Sequence, residues 1–272
     1  MNLDVPFLQR LSKKSWQDSF VMELAKCFSS LSYFEEHSDI LSFEDCILVV
    51  EDILGKISKE YLNLFHQMLV EEDGDKPVIY IYSNGSLDRN ESSTYRHELH
   101  FYKTGYMDDV YLLLHEFTHI LMNRKEHYSI NKRNNEIAPI MMEFMVSSYF
   151  NNQDYLRKRM NKVIYDSKSI LAKNEICHEN YDIDDIYLKY HFTDEDQSFF
   201  TNDLIYHKNL GIEEEQSYLY GFIYGYYYYN HGTYDSLVEQ LNEDRNITLP
   251  QISLEDVLQD LLNLLNSKGF YK

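Results

Sequence analysis

Apolar positions recur at intervals of three and four residues along most of the chain, and this spacing predicts a mainly α-helical protein. The pattern begins at Phe7 and continues to about Met68, with no glycine before Gly55. Few residues interrupt it later, because the chain has only 4 Pro and 9 Gly. The acidic stretch 178–203 is mixed in character and indicates no particular element. Further helices are predicted over residues 108–125, 134–150, 154–173, 213–230 and 254–267.

One region between these helices has the composition of strands instead. Val78–Tyr82 is a run of residues that favour strands, and Asn84 and Gly85 close it. A second strand is predicted over Tyr95–Tyr102. Residues 86–93 between the two are polar and too numerous for a tight hairpin turn. The sequence therefore predicts a small antiparallel β-sheet inside a mainly α protein, next to the helix that starts at residue 108.

The length and the net charge of the chain limit which class of protein it can be and which partners it can have. No repeat, low-complexity linker or boundary divides the 272 residues, so we predict one domain over 1–272. The formal net charge is −20 at pH 7. A surface this acidic repels phosphate groups, so nucleic acid is not an expected partner. The same charge either serves solubility or attracts basic peptides, and the sequence leaves both open.

Cysteine usage and hydropathy indicate a compartment. Cys27, Cys46 and Cys177 are widely spaced and odd in number, which favours reduced thiols over a disulfide framework. The N-terminal residues lack the basic and apolar regions of a signal peptide, and no apolar run approaches the length of a membrane span. We therefore expect a cytoplasmic protein without membrane contact. The sequence gives no expectation for its oligomeric state.

The segment HEFTH carries the candidate chemistry. His115 and His119 are four residues apart, so on a helix both imidazoles lie on one face and can reach one metal ion. Glu116, beside the first histidine, is directed at the water that zinc activates, and its carboxylate can take a proton as general base. The residue types and their spacing therefore predict the zinc site of a hydrolase.

The helix that carries HEFTH is apolar on almost every face, which is typical of a buried helix. Burial of two histidines and a glutamate in such a helix destabilises the fold unless they have hydrogen-bonding or charged partners. A bound cation would be such a partner. The alternative is a pair of core histidines that are hydrogen-bonded to their neighbours. The apolar positions are Val110, Leu112, Leu113, Leu114, Phe117, Ile120, Leu121 and Met122.

A third metal ligand is expected from the next helix. Glu136 and Glu143 are seven residues apart and therefore lie on one helical face. Either carboxylate could bind zinc directly, while the other orients a ligand histidine. Apolar neighbours on both sides indicate that Glu143 is buried. The spacing alone does not choose between the two.

The run GYMDDVYLLLHEFTH resembles the corresponding stretch of the oligoendopeptidase F and thimet oligopeptidase family, where a similar run precedes HExGH. The family also has a glutamate seven residues before its ligand glutamate, as in EIAPIMMEF here. The resemblance implies a gluzincin-type zinc metallopeptidase that cleaves short unstructured peptides, with one Zn²⁺ per chain. It assigns Glu143 as the third ligand beside His115 and His119, and Glu136 as its supporting neighbour.

The resemblance extends over residues 57–150 and implies a zincin-like fold similar to the catalytic half of the family. Residues 1–56 would then be a shortened N-terminal helical part, 57–150 the active-site core and 151–272 a C-terminal helical part. A weaker likeness follows at SYLYGFIYG, residues 217–225, where family tyrosines donate to the oxyanion. By position Tyr220 is the first choice for this role and Tyr218 the second. The alternative is that tyrosines in so tyrosine-rich a helix only pack.

Three features depart from the family pattern. The glycine of HExGH is Thr118 here, and most of the family's N-terminal lobe is absent. The family's histidine before the tyrosines has no counterpart in GIEEEQ, and His207 lies too far upstream. Two alternatives to a general peptidase follow: a zinc- and peptide-binding protein with impaired catalysis, or a processing peptidase for one small precursor peptide.

Overall fold

A computed structural model describes the greater part of the chain. The described ranges are 19–35, 37–70, 78–83, 85, 92–95, 98–122, 134–150, 154–178, 182–206, 211–243, 249–253, 255–256, 259–261 and 263. The chain forms two compact units. One consists of Met1–Phe34 and Lys158–Tyr220, and the other of Glu35–Arg157 and Gly221–Lys272.

Helices dominate the described residues, as the apolar spacing predicted. The helices are α1 (Ser19–Ser29), α2 (Phe43–Ile57), α3 (Lys59–Val70), α4 (Asp108–Met122), α5 (Ile137–Phe150), α6 (Asp154–His178), α7 (Ile183–Lys189), α8 (Asp194–Tyr206), α9 (Gly211–His231) and α10 (Tyr234–Glu243). The strands are β1 (Val78–Tyr82), β2 (Ser93–Tyr95) and β3 (Glu98–Tyr102). None of the described helices is both long and apolar enough to cross a bilayer.

The helix predictions are confirmed in outline and differ at their ends. Helix α6 continues to His178, five residues beyond the predicted end. The acidic stretch 178–203, which indicated no element, contains α7 and the start of α8. Of the helix predicted over 254–267, the described residues 255–256, 259–261 and 263 are helical.

The sheet is mixed, and the antiparallel prediction was wrong for one of its two pairings. β1 pairs with β3 in parallel, β2 pairs with β3 in antiparallel, and the strand order is β1-β3-β2. The strand predicted over 95–102 contains β3 and the last residue of β2, whose first two residues lie before the predicted range. The chain therefore reverses direction twice between β1 and β3, which leaves these two strands parallel.

The sheet presents one buried face to the helices of its unit. Ile79, Leu99 and Phe101 are buried, and α4 packs against β2 and β3. Their neighbours in sequence point to the other face because side chains alternate along a strand. There His100 stacks between Tyr80 and Tyr82, with ring centroids 5.1 and 6.0 Å away. The helix that carries HEFTH thus lies directly beside the sheet, as predicted.

A turn just before α4 fixes where that helix begins. The buried carboxylate of Asp109 accepts hydrogen bonds from the Thr104 hydroxyl and from the main-chain N–H groups of Thr104 and Gly105 at 2.7–3.1 Å. Gly105 has φ of +84°, a conformation that glycine adopts without strain. One acidic side chain in the first helical turn therefore holds the loop that enters α4.

The unit of Met1–Phe34 and Lys158–Tyr220 contains a buried network of charged groups. Lys173 on α6 contacts Asp203 of α8 and donates to Glu215 of α9 at 2.8 Å, and Ser169 donates to Glu215 at 2.7 Å. Burial is the main cause that raises the pKa of Glu215, to about 7. The Lys173 ammonium opposes the rise, while the negative charges of Asp166 and Asp203 add to it.

The raised pKa of Glu215 predicts that stability falls as the pH rises. The folded state binds an extra proton between the ordinary pKa of 4.5 and about 7. The free energy of unfolding should therefore fall by up to about 3 kcal/mol between pH 4.5 and 7. Glu215→Gln should remove this part of the pH dependence, which urea unfolding at several pH values would measure. Glu195→Gln, at an exposed position, is the control, and equal slopes for wild type and Glu215→Gln would contradict the prediction.

Candidate metal centre

The candidate centre lies where α4 and α5 pack against each other. All residues of α4 except Leu112 are buried, which confirms the prediction of a buried helix. His115 and His119, one turn apart on α4, are 3% and 8% exposed. The α5 segment is equally apolar, and its Glu143 is 0% exposed. Glu116 and Glu136 are buried as well, so all five histidines and glutamates of the predicted metal centre lie in a mainly apolar core.

Glu136 faces both histidines. Its Oε2 lies 3.2 Å from His115 Nε2, and its Oε1 lies 3.7 Å from His119 Nε2. Glu136 directly precedes α5, so its carboxylate extends from the end of that helix towards the facing turn of α4. One ligand atom from each of the three residues lies within 4.8 Å of the others, so this buried group could hold a metal ion.

The spacing of these atoms fits a small tetrahedral ion. Zinc binds imidazole nitrogen and carboxylate oxygen at about 2.0–2.2 Å, so two ligand atoms of a tetrahedral site are about 3.3 Å apart. Each histidine Nε2 has one Glu136 oxygen near that distance, Oε2 at 3.2 Å from His115 and Oε1 at 3.7 Å from His119. Two nitrogens and one oxygen also match the three protein ligands of catalytic zinc sites.

Glu143 contacts the other side of His115. The Nδ1 of His115 donates to Glu143 Oε1 at 2.7 Å. Histidines that bind a metal through one ring nitrogen usually donate the other N–H to a carboxylate, which fixes the ring. The contacts therefore favour Glu136 as ligand and Glu143 as the group that orients His115. This order is the reverse of the roles that the family resemblance implied, and the ligand role of Glu143 stays a prediction.

The two carboxylates also change the protonation of His115. Burial is the largest influence and lowers its pKa, but hydrogen bonds and charges of Glu136 and Glu143 outweigh it and raise the pKa to about 10. The two carboxylates thus favour the protonated form of His115. A metal ion bound at Nε2 would compete with a proton for that nitrogen.

The predicted general base has a partner that the sequence did not reveal. The Thr94 hydroxyl on β2 lies 2.9 Å from Glu116 Oε2 and 3.0 Å from the main-chain oxygen of Glu116. Thr94 lies between the polar connection 86–93 and the strand predicted over Tyr95–Tyr102, and no pattern assigned it a role. Because the contact joins residues 22 positions apart through the packing of β2 on α4, no local pattern identifies it.

Thr118 replaces the glycine of the family motif and makes defined contacts. Its hydroxyl donates to the main-chain oxygen of Leu114 at 2.8 Å and lies 2.6 Å from the Tyr234 hydroxyl. Since the proton of Thr118 is directed at Leu114, the Tyr234 hydroxyl acts as donor to Thr118. The Tyr234 ring meets Tyr61 edge to face at 6.2 Å. Thr118 therefore joins α4 to the first turn of α10.

The two tyrosines predicted to stabilise an oxyanion belong to the other compact unit. Tyr220 is buried and its ring stacks on Phe20 at 5.7 Å. Lys162 and Arg159 lie over the Tyr218 ring at 5.1 and 5.3 Å. Both tyrosines therefore have packing roles within their unit, and their role in hydrolysis stays a prediction. His207 lies outside the described residues.

Gly221 brings α9 close to the candidate ligand Glu136. A Cβ atom at Gly221 would lie 2.6 Å from Glu136 Cβ and 2.9 Å from its carbonyl carbon. Gly225, one turn later, would place a Cβ 3.0 Å from the main chain of α5. The two glycines therefore allow α9 and α5 to pack backbone to backbone. Their four-residue spacing in a tyrosine-rich helix was a signal of this close approach.

The close approach predicts that Gly221→Ala weakens metal binding. The added methyl group meets main-chain atoms and must displace Glu136, and overpacking of this kind costs about 1–3 kcal/mol. Zinc affinity, measured by competition with a chromophoric chelator, should fall about tenfold. Gly55→Ala is the matched control, because its Cβ would meet only Leu62 at 3.4 Å. Equal affinities of Gly221→Ala and wild type would show that Glu136 does not depend on this contact.

Comparison with protein-family models finds no match for the chain, and neither the curated proteins nor the solved structures contain a match. The described geometry is therefore the basis for any assignment of function. The resemblance to the oligoendopeptidase F family, which rests on the runs quoted above, stays a prediction.

Proposed function

We propose that the chain is a zinc-dependent metallopeptidase that hydrolyses peptide bonds in short unstructured peptides. The observation that carries the proposal is the buried group of His115, His119 and Glu136, with the carboxylate of Glu116 one residue from the first ligand. Two imidazoles, one ligand carboxylate and one further carboxylate are the minimum set for metal-assisted hydrolysis.

The charge balance favours a cation over a pair of structural histidines. Glu116, Glu136 and Glu143 are all buried, while His115 supplies one positive charge among them. Buried carboxylates favour a positive charge close by, and a divalent ion at this place would bring one to all three. Three carboxylates grouped around two imidazoles are the feature that supports a bound divalent ion.

The donor set favours zinc over magnesium and calcium. Magnesium and calcium take six or more oxygen ligands, whereas two imidazoles with one carboxylate suit zinc. A bound zinc ion supplies Lewis-acid chemistry, which acidifies water and polarises a peptide carbonyl. His115, His119 and Glu136 would hold the ion, and catalytic zinc sites have three protein ligands.

The residues of the chain have distinct roles in the proposed reaction. His115 and His119 hold the ion, and Glu143 fixes the ring of His115 through Nδ1. Glu116 takes the proton of the attacking water at its carboxylate and gives it to the amine nitrogen of the departing peptide.

The metal content of two glutamate variants tests the ligand set. We expect about one zinc per chain in the wild type, loss of zinc in Glu136→Ala, and weaker but detectable binding in Glu143→Ala, because an orienting partner contributes about 10–100-fold in affinity. Elemental analysis after dialysis provides the measurement. The family resemblance predicts the opposite order for the two variants. No zinc in the wild type, even after zinc is added, would contradict the proposal.

The variant Glu116→Gln tests the reaction. Glutamine keeps the shape and the contact with Thr94 but cannot take a proton, so zinc should remain while peptide cleavage falls by about 10²–10⁴-fold. A digest of a peptide library, followed by mass spectrometry, measures the loss. Glu98→Gln, on the exposed face of β3, should cleave like wild type. Zinc binding without cleavage by the wild type would instead favour a zinc- and peptide-binding protein with impaired catalysis.

A further inference from the structure

We propose that Thr94 is a positioning residue that holds the carboxylate of Glu116 in the orientation for proton transfer; this inference rests on the proposed function. Thr94 is the central residue of β2, and its side chain is directed at α4. It reaches Glu116 through a single hydroxyl group. The role concerns the general base, because the Thr94 hydroxyl contacts the main-chain oxygen and the carboxylate of Glu116.

The hydroxyl of Thr94 contacts both ends of the same residue. Oγ1 lies 3.0 Å from the main-chain oxygen of Glu116 and 2.9 Å from its Oε2. A hydroxyl has one proton and donates to one of these two oxygens at a time, and donation to Oε2 is the contact that holds the carboxylate. A free glutamate side chain has three rotatable bonds and considerable conformational entropy. A hydrogen bond at the carboxylate removes part of that freedom before substrate binds.

The strand that presents Thr94 is itself held in register. Thr94 is the partner of Leu99 in the antiparallel pairing of β2 with β3, and Leu99 is buried. Next to it, the buried Ser92 accepts a hydrogen bond from the main-chain N–H of Tyr102 at 3.1 Å. A group on a paired strand is placed more accurately than one on a loop. Ser93 points to the opposite face and is exposed, since side chains alternate along the strand.

Loss of the Thr94 hydroxyl should affect turnover and not substrate binding. Without the hydroxyl, Glu116 keeps its charge and its reach but loses its fixed orientation towards the attacking water. Substrate binding does not depend on that orientation, whereas proton transfer does. The loss should therefore appear in kcat and leave KM unchanged.

Three substitutions test this role kinetically. Thr94→Val keeps the β-branched shape without the hydroxyl, Thr94→Ser keeps the hydroxyl, and Ser93→Ala is the control on the other face. We expect Thr94→Val to lower kcat about ten- to a hundredfold with KM within about twofold and full zinc content, since a hydrogen bond to a charged group is lost. Thr94→Ser should stay within about threefold of wild type, and Ser93→Ala should be unchanged.

A double-mutant cycle on the metal-free protein tests the contact without any activity assay. Urea unfolding of wild type, Thr94→Val, Glu116→Ala and the double variant gives four folding equilibrium constants. If the hydroxyl binds the Glu116 side chain, the two single changes are non-additive by about tenfold. The same cycle with Ser93→Ala in place of Thr94→Val should be additive.

The outcomes separate this inference from the proposed function. Wild-type kcat in Thr94→Val, with Glu116→Gln inactive, would overturn the role of Thr94 and leave the peptidase intact. Loss of zinc or a raised KM in Thr94→Val would show a structural role and overturn the inference as well. A wild type without zinc or cleavage would overturn the proposed function. In that case the double-mutant cycle still tests the contact between Thr94 and Glu116. Additive effects would refute the contact, and non-additive effects would support it.

Discussion

The structure depends on one constraint, the placement of charged side chains inside the packed interface of α4 and α5. His115 has a carboxylate on each ring nitrogen, Glu136 on Nε2 and Glu143 on Nδ1. Such a group is tolerable in a core only if every partner is in place, because a single unmatched buried charge is strongly destabilising. Helices α4 and α5 must therefore pack in one register, and contacts with the surrounding elements keep them in it.

The neighbouring contacts follow from this requirement. Gly221 lets α9 reach the backbone beside Glu136, and Thr118 ties α4 to Tyr234 of α10. Thr94 holds Glu116 from the strand side. Each of these residues is small or short, so it permits a close approach rather than filling space. Residues of α9, α10 and β2 thus lie around the candidate centre that α4 and the residues at the start of α5 form.

The sequence predicted those features that local spacing determines. The apolar residues of α4 on every face indicated a buried helix, and the four-residue separation of His115 and His119 placed both imidazoles together. Local spacing could not predict that β1 and β3 pair in parallel, because the relative direction of two strands depends on how many times the chain reverses between them. The roles of Glu136 and Glu143 were equally undetermined, since both share one helical face and only the packing of α5 on α4 decides which nitrogen each one meets. Thr94 gave no local signal at all, because its contact with Glu116 exists only in the folded chain.

The most direct test of the account is the position of zinc in a crystal of the zinc-loaded protein, located by anomalous diffraction at the zinc absorption edge. The account predicts one strong peak at about 2.0–2.2 Å from His115 Nε2, His119 Nε2 and an oxygen of Glu136, with Glu143 on the Nδ1 side of His115. A zinc peak next to Glu143 instead of Glu136 would show that the ligand and orienting roles of the two glutamates are exchanged. The absence of any peak between the histidines of α4 would contradict the account as a whole.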